Sequence, residues 1–327
     1  MKHHYVPVFY QKLFAASDGL LWVYDRKLKT FKQLHPESIC CQHDLYAFEG
    51  GIEPNQIVET QFLSAIDGSA SAALKKLPTV LAKPAPELLG EILYFAALQF
   101  LRVPANRRFA SAVSESGGND LMEAAFGDVE RVRASIEEYE TQTGEALGAT
   151  PESMVEAVRS WSIRAVATER PFLQIVLQEV GNVARLFQGL DIRILISPPQ
   201  VGFILSDNPL TIVLPRHVDV GGFKTAGAFT FLPLTRGLCL SLGQPGTGTG
   251  PRNIDHEAVR FINENTAANS DRFVMGKSKM QLESVIRRSG SADVSNTERW
   301  TIEKHREQDG IFSQLIIRPR RVHYVDV

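Results

Sequence analysis

Two adjacent imidazoles, His3-His4, open the chain and are followed at once by Tyr5 and the stiff Val6-Pro7. Imidazole is a metal ligand or, near neutral pH, a proton shuttle. In an extended segment the two rings point to opposite faces, so one serves a given site unless the backbone bends. The plainer reading has one ring in the core and the other in solvent. Carboxylates that could join them are Asp44, beside His43, Glu59 near the start of a helical stretch, and Asp207 in Ser206-Asp207-Asn208-Pro209. Asp207 and Asn208 together offer a hard anionic oxygen and an amide able to bond a substrate. They are equally favourable turn chemistry, as Asp44 is in a loop, while Glu59 suits the positive end of a helix. Gln99 and Arg102, three apart, share one face of an apolar helix. A guanidinium there needs a carboxylate, a phosphate or a carbonyl as partner, and Arg102 is read either as half of a buried ion pair or as an anion clamp. Asn263 and Asn265 lie two apart in a helix and cannot share a face, so one of them is expected to be exposed.

These groups must be positioned by three kinds of element. Residues 1–50 form a hairpin region: LLWVYDRKLKTFKQL places apolar residues around a polar turn that Asp25 opens. Residues 53–188 are helical. Val58, Phe62, Ile66, Ala70, Ala73 and Leu77 recur at helical spacing, and the Pro-rich KLPTVLAKPAPE interrupts them. ELLGEILYFAALQFLRVP is apolar nearly all round, which predicts a central buried helix ending before Pro104. DLMEAAFGDVERVRASIEEYETQ reads as one amphipathic helix, PESMVEAVRSW starts with Pro151 in its first turn, and PFLQIVLQEVGNVARLFQ completes four or five helices. Residues 190–327 are sheet-rich: DIRILIS, VGFILS, PLTIVL, GAFTFLPL, GLCLSLG, RFVMG and FSQLIIRP read as strands, and HEAVRFINENTAANS as a helix. GQPGTGTGP reads as a loop and RSGSADVSNTE as a mobile polar stretch. The fold class expected is α+β in a single domain over 1–327: an N-terminal β-hairpin, a central α-helical bundle and a mainly antiparallel C-terminal sheet.

Composition narrows the function classes. The 327 residues carry 35 basic against 37 acidic side chains, a net charge of −2, and 44% hydrophobic residues, which fits a folded chain rather than a disordered one. Near-neutral balance removes the broad basic field of a nonspecific DNA binder, though a local basic groove is still open to it. MKHHYVPVFYQKLF breaks any apolar leader with Pro7 and its histidines, and no apolar run reaches membrane-spanning length, so a cytoplasmic chain with no membrane partner is expected. Cys40, Cys41 and Cys239 lack the spacing of a zinc site. No GxxxxGK[ST], GxSxG, HExxH or GxGxxG signature is present.

The segments HHYVPVFYQKLF, LWVYDRK, HDLYAFEG, FAALQFLRVPANR, FILSDNPL, FLPLTRGLCLSL and INENTAANSDRFV, in that order from His3 to about Val274, resemble the bacterial domain of unknown function 4238 (DUF4238). Val8 departs from the pattern's usual Gln, and Lys12-Leu13 from its Leu-Arg. The resemblance implies no established activity. It implies that His3, His4, Asp44, Glu59, Arg102, Asp207 and Asn208 belong to one set, and it suggests a role in defence or in conflict with mobile elements.

The leading expectation is a metal-dependent hydrolase, a phosphodiesterase or nuclease with Mg²⁺ or Mn²⁺ as cofactor and nucleic acid or a phosphorylated small molecule as partner. His3, His4, Glu59 and Asp207 are its expected acid–base groups, and His4 and Asp207 its expected metal ligands. Arg102, Asn208, Tyr5 and Asp44 are the expected substrate contacts. The alternative, of nearly equal weight, is a non-enzymatic binding or interaction module whose polar motifs form a buried structural network. A third is a small-molecule or nucleotide sensor with Arg102 on phosphate and Tyr5 or Tyr46 stacking.

Overall fold

The computed structural model describes residues 2–43, 45, 58–160, 162, 169–218, 221–289, 300–307 and 310–317. Asp44, Tyr46 and most of the RSGSADVSNTE stretch lie outside them, and of Glu59 only the backbone is described. The architecture is α+β. It divides into two compact units, one drawn from Met1–Arg107, Leu173–Arg299 and Ile317–Val327, the other from Arg108–Phe172 and Trp300–Ile316.

In the first unit, β1 (Lys2–His4) leads through Pro7 into the short helix α1 (Val8–Lys12). Its five residues are too few to show a period, so the sequence hides it. Tyr10 and Phe14 are fully buried, and Phe95 meets Tyr10 edge-on at 5.1 Å between ring centroids. The Tyr10 hydroxyl donates to the Pro233 carbonyl. The hairpin follows as β2 (Leu21–Asp25) and β3 (Thr30–Leu34). Asp25 Oδ1 accepts the amides of Lys27 at 3.0 Å and Leu28 at 3.1 Å, the side-chain turn its position predicts. A short strand, β4 (Cys41–His43), then pairs antiparallel with β1.

A π-helical turn over Val58–Leu63 runs into α2 (Ser64–Lys76). After the proline interruption comes α3 (Pro86–Leu101), whose Leu88, Ile92, Leu93, Phe95 and Ala96 to Gln99 are buried, nearly all round as the sequence predicts. Helix α4 (Pro104–Phe126) starts at the proline that limits α3. It is followed by α5 (Val129–Thr143), α6 (Pro151–Arg159) and α7 (Glu169–Gln188). These are more helices than the four or five expected, because the stretch read as one helix across 120–142 breaks at Gly127-Asp128. Asp128 leaves helical geometry and accepts the Arg131 amide at 2.9 Å, capping a new helix. In the second unit Arg133 pairs with Glu130 at 2.7 Å and with Glu152 of α6 at 3.3 Å, over buried Val132 and Val155.

The remaining elements are β5 (Asp191–Ile196), β6 (Leu205–Ser206), β7 (Thr211–Val213), β8 (Phe229–Pro233), β9 (Leu238–Gly243), β10 (Gly250–Asn253), α8 (His256–Asn269), β11 (Phe273–Gly276), α9 (Lys279–Ser289), β12 (Trp300–Glu307) and β13 (Gly310–Ile317). Strands β12 and β13 form a two-stranded pair. A five-stranded sheet runs β10-β5-β9-β8-β7, antiparallel except for the parallel β10–β5 edge. The glycine-rich loop before β10 therefore ends as a strand rather than remaining loop throughout. Gly246 and Gly248 take φ of +97°, open to glycine without strain, and their amides both donate to Asp191 Oδ2 at 2.8 and 2.7 Å.

The hairpin does not stay a separate N-terminal sheet. It joins C-terminal strands in the order β3-β2-β11-β6, with Tyr24 opposite Val274 and Val274 opposite Ser206. One face of this sheet closes on α8 and α9 through Tyr24, Ile204, Ala267, Val274, Leu282 and Val285. The other face carries Val23, Asp25, Thr30, Lys32 and Leu34, which alternate with those buried residues along the two hairpin strands. Helix α9, unforeseen from its strongly charged sequence, is held here by fully buried Leu282. Leu282→Ala is expected to lower unfolding free energy by about 2–5 kcal/mol, measured by denaturant titration. A loss below about 1 kcal/mol would show that α9 is not part of this core.

Candidate functional site

Two buried polar networks and one groove use the chemistry-bearing residues of the first unit. The first network starts on β1. His3 is fully buried, whereas the His4 ring turns outward, with Nε2 3.1 Å from the Glu37 carbonyl oxygen. Partial burial lowers the His4 pKa, opposed by that carbonyl. The Tyr5 ring is buried and its phenol is pushed well above its ordinary range, chiefly by desolvation. Gln99 Nε2 donates to the Tyr5 carbonyl at 2.9 Å, and Gln99 Oε1 accepts from Arg102 Nε at 3.0 Å and Nη2 at 2.9 Å. Arg102, only 1% exposed, reaches Asp67 of α2 at 3.0 Å and lies 5.8 Å from the Phe95 ring centre. One amide side chain thus joins the N-terminal segment to a desolvated guanidinium, whose charge Asp67 balances.

The second network is built around Asp207, at the end of β6. Its Oδ1 accepts the Asp271 amide at 2.7 Å, and its Oδ2 accepts those of Arg272 at 2.7 Å and Phe273 at 3.0 Å. The Asp207 amide donates in turn to the Phe273 carbonyl at 3.0 Å. Burial pushes the Asp207 carboxyl up to about 6, the Asp271 charge adds to this, and the three amides oppose both. It is therefore ionised at neutral pH. Asn208 and Asn269 exchange side-chain to backbone bonds, Asn269 Nδ2 donating to the Asn208 carbonyl at 2.8 Å and Asn208 Nδ2 to the Asn269 carbonyl at 3.3 Å. Arg26 closes the C-terminal end of α8, donating through Nη1 to the Ala267 carbonyl at 2.8 Å, where a cation suits the helix dipole. Asn263 receives the Ile204 amide and donates to the Gly202 carbonyl, both at 3.0 Å. Asn265 is buried too and bonds back to the Phe261 carbonyl, so neither asparagine is the exposed one expected.

The groove, about 350 Å³, opens on the hairpin face that turns away from α8 and α9. Its lining runs along β3 as Thr30, Lys32 and Leu34, with Asp25 opposite Thr30 and Val23 opposite Lys32, and Leu28 of the turn, Ile39 and Arg272 also line it. Arg272 Nε and Nη2 donate to Asp25 Oδ2 at 3.0 and 2.8 Å, and its guanidinium carbon sits 4.6 Å from the Phe273 ring centre. Although burial works against it, this guanidinium, with the amides of Leu28 and Lys27, holds the Asp25 carboxyl below the usual range. Sequence reasoning missed Arg272 as a groove residue, because nothing in NSDRF distinguishes it before the hairpin is paired with β11.

Of the residues expected to share a pocket, three are engaged by partners of their own, and His3 is buried on β1. His4 turns to the 36–38 turn, Arg102 is sealed against Gln99 and Asp67, and the Asp207 oxygens point at backbone amides. Among the described residues no three His, Cys, Asp or Glu side chains gather as a metal-binding group, so the expected His4–Asp207 ligand pair has no third such ligand there. No described helix is long and apolar enough to cross a membrane. The family model described as a protein of unknown function (DUF4238) matches residues 2–280. No curated protein and no solved structure matches the chain.

Replacing Asp207 by Asn puts an amide where the backbone N–H groups need an acceptor. The expected cost is about 2–4 kcal/mol of unfolding free energy. Asp207 takes its proton at about 6 when folded against 3.8 when unfolded, so between those values its contribution to stability falls as pH rises. The variant lacks that dependence. Its deficit against the parent chain should be larger below pH ~4 than above pH ~7, as measured by chemical denaturation, and a deficit independent of pH would refute the assignment.

Proposed function

The chain belongs to the DUF4238 family, and on that premise we propose that it is a non-enzymatic binding module, its signature polar residues framing a groove for a ligand. One observation carries this reading: the contacts that lead from Asp207 to the groove wall. The carboxylate fixes the backbone amides of 271–273, and this positions Arg272 to lie across Phe273 and pair with Asp25. Asp25 in turn holds the hairpin turn through the amides of Lys27 and Leu28. Residues from YDR, SDNP and NSDRF, far apart in the chain, thereby act together on one wall.

A metal-dependent phosphodiesterase or nuclease would need these same groups open to substrate. Arg102 is sealed from solvent, and each Asp207 oxygen already accepts at least one amide. Both features support a framing role over chemistry at those atoms.

Titrating the full chain with Mg²⁺ or Mn²⁺ while following its melting temperature separates the two readings. The binding module is expected to melt at the same temperature with and without metal. A rise of several degrees that is lost in His4→Ala and in Asp207→Ala would overturn it in favour of the hydrolase.

A further inference from the structure

We infer that the hairpin groove binds a small aliphatic carboxylate, the apolar body lying on Leu34, Val23 and Ile39 and the anion held by Lys32, Thr30 and Arg272. The inference rests on the binding-module reading and names the ligand class of that groove.

The polar side of the groove has more donors than acceptors. Arg272 spends Nε and Nη2 on Asp25 and keeps the N–H groups of Nη1, which have no partner among the described residues. Thr30 and Lys32 stand two apart on β3, on the same face of the hairpin, and neither side chain has a partner among the described residues. Against these donors stands one carboxylate, Asp25. Its Oδ2 is taken by the guanidinium and its Oδ1 by two backbone amides. Among the side chains lining the groove, two cations face one anion, a surplus that a monoanion neutralises. A cation or a neutral acid would leave it uncompensated.

The end of the groove away from the turn is apolar. Leu34 stands two positions beyond Lys32 on β3, whereas Leu28, 55% exposed, lines the groove from the turn before Thr30, at the opposite end. With buried Val23 and Ile39, Leu34 offers a surface to a chain of CH₂ groups, each worth about 0.8 kcal/mol when buried. A volume of 350 Å³ is at the small end of the roughly 300–1,000 Å³ typical of ligand pockets. It suits a short acyl chain. Arg272 is also braced before any ligand arrives, by Asp25 and by the Phe273 ring, so little side-chain freedom is lost on binding.

The test uses isothermal titration calorimetry of the full chain with octanoate, 1-octanol and inorganic phosphate. Octanoate is expected to bind with a Kd of about 1 mM or tighter. Octanol and phosphate should each bind at least about tenfold more weakly, since each lacks one half of the recognition. Lys32→Ala alters an exposed side chain and is expected to weaken octanoate about tenfold. Thr30→Trp fills the polar side and should abolish binding while the melting temperature stays within a few degrees. Phosphate binding as tightly as octanoate would reduce the site to a bare anion site and refute the aliphatic part. Octanol binding as tightly would refute the anionic part. No octanoate binding, or binding unchanged in Lys32→Ala, overturns the inference altogether, yet leaves the metal-independent melting that supports the binding module standing.

Discussion

Three amide hydrogens converge on the carboxylate of Asp207, and most of the hairpin sheet depends on that convergence. Residues 271–273 leave the end of α8 and must enter β11 within a few positions, so their amides have neither a helical nor a complete sheet partner at that point. A buried N–H without an acceptor costs about 1–3 kcal/mol, and three of them would undo the turn. One carboxylate has lone pairs for all three. The charge that makes it a strong acceptor also raises its cost of burial, which is why its proton is bound more tightly than in water. With the turn fixed, Val274 can pair with Tyr24 on one side and Ser206 on the other, and the hairpin joins the C-terminal strands.

The same logic recurs wherever a polar side chain of the first unit is buried. Arg26 serves the Ala267 carbonyl at the end of α8, Asn263 serves both an amide and a carbonyl of the strand segment before β6, and Gln99 serves the Tyr5 carbonyl. Arg102 is buried at greater electrostatic cost, and the Gln99 oxygen and Asp67 compensate it together. These side chains complete hydrogen bonds that helices and strands leave open at their ends. What they leave available to a ligand is the groove wall, where Arg272 retains donors and Lys32 stands open.

Much of the fold was legible because its signals are local. Pro104 limits α3, the apolar pattern of 88–99 marks a helix buried all round, and Asp25 opens the hairpin turn. Short apolar stretches at 191–196 and 238–243 mark the central strands of the larger sheet. Less legible were features decided by a single contact or by distant pairing. The break at Gly127-Asp128 hinges on one cap, α1 is too short for a period, and α9 is held by a few apolar residues in a charged sequence. The partnership of the hairpin with β11 spans most of the chain and leaves no trace in either segment alone. The site suffered from a different ambiguity. Asp207, Arg102 and the asparagines are the residue types that catalysis needs and equally those that buried backbone groups need, and only burial with partner geometry separates the two. His3 and His4 illustrate it: adjacent in sequence, one is sealed in the core and the other turns to a surface carbonyl.

Amide hydrogen exchange resolved at residues 271–273 measures the central interaction most directly. If the Asp207 carboxylate holds these three hydrogens, they exchange slowly in the parent chain and at least about tenfold faster in Asp207→Asn, while the amides of α3 keep their protection. Equal exchange at 271–273 in the two chains, or fast exchange there in the parent, would contradict it.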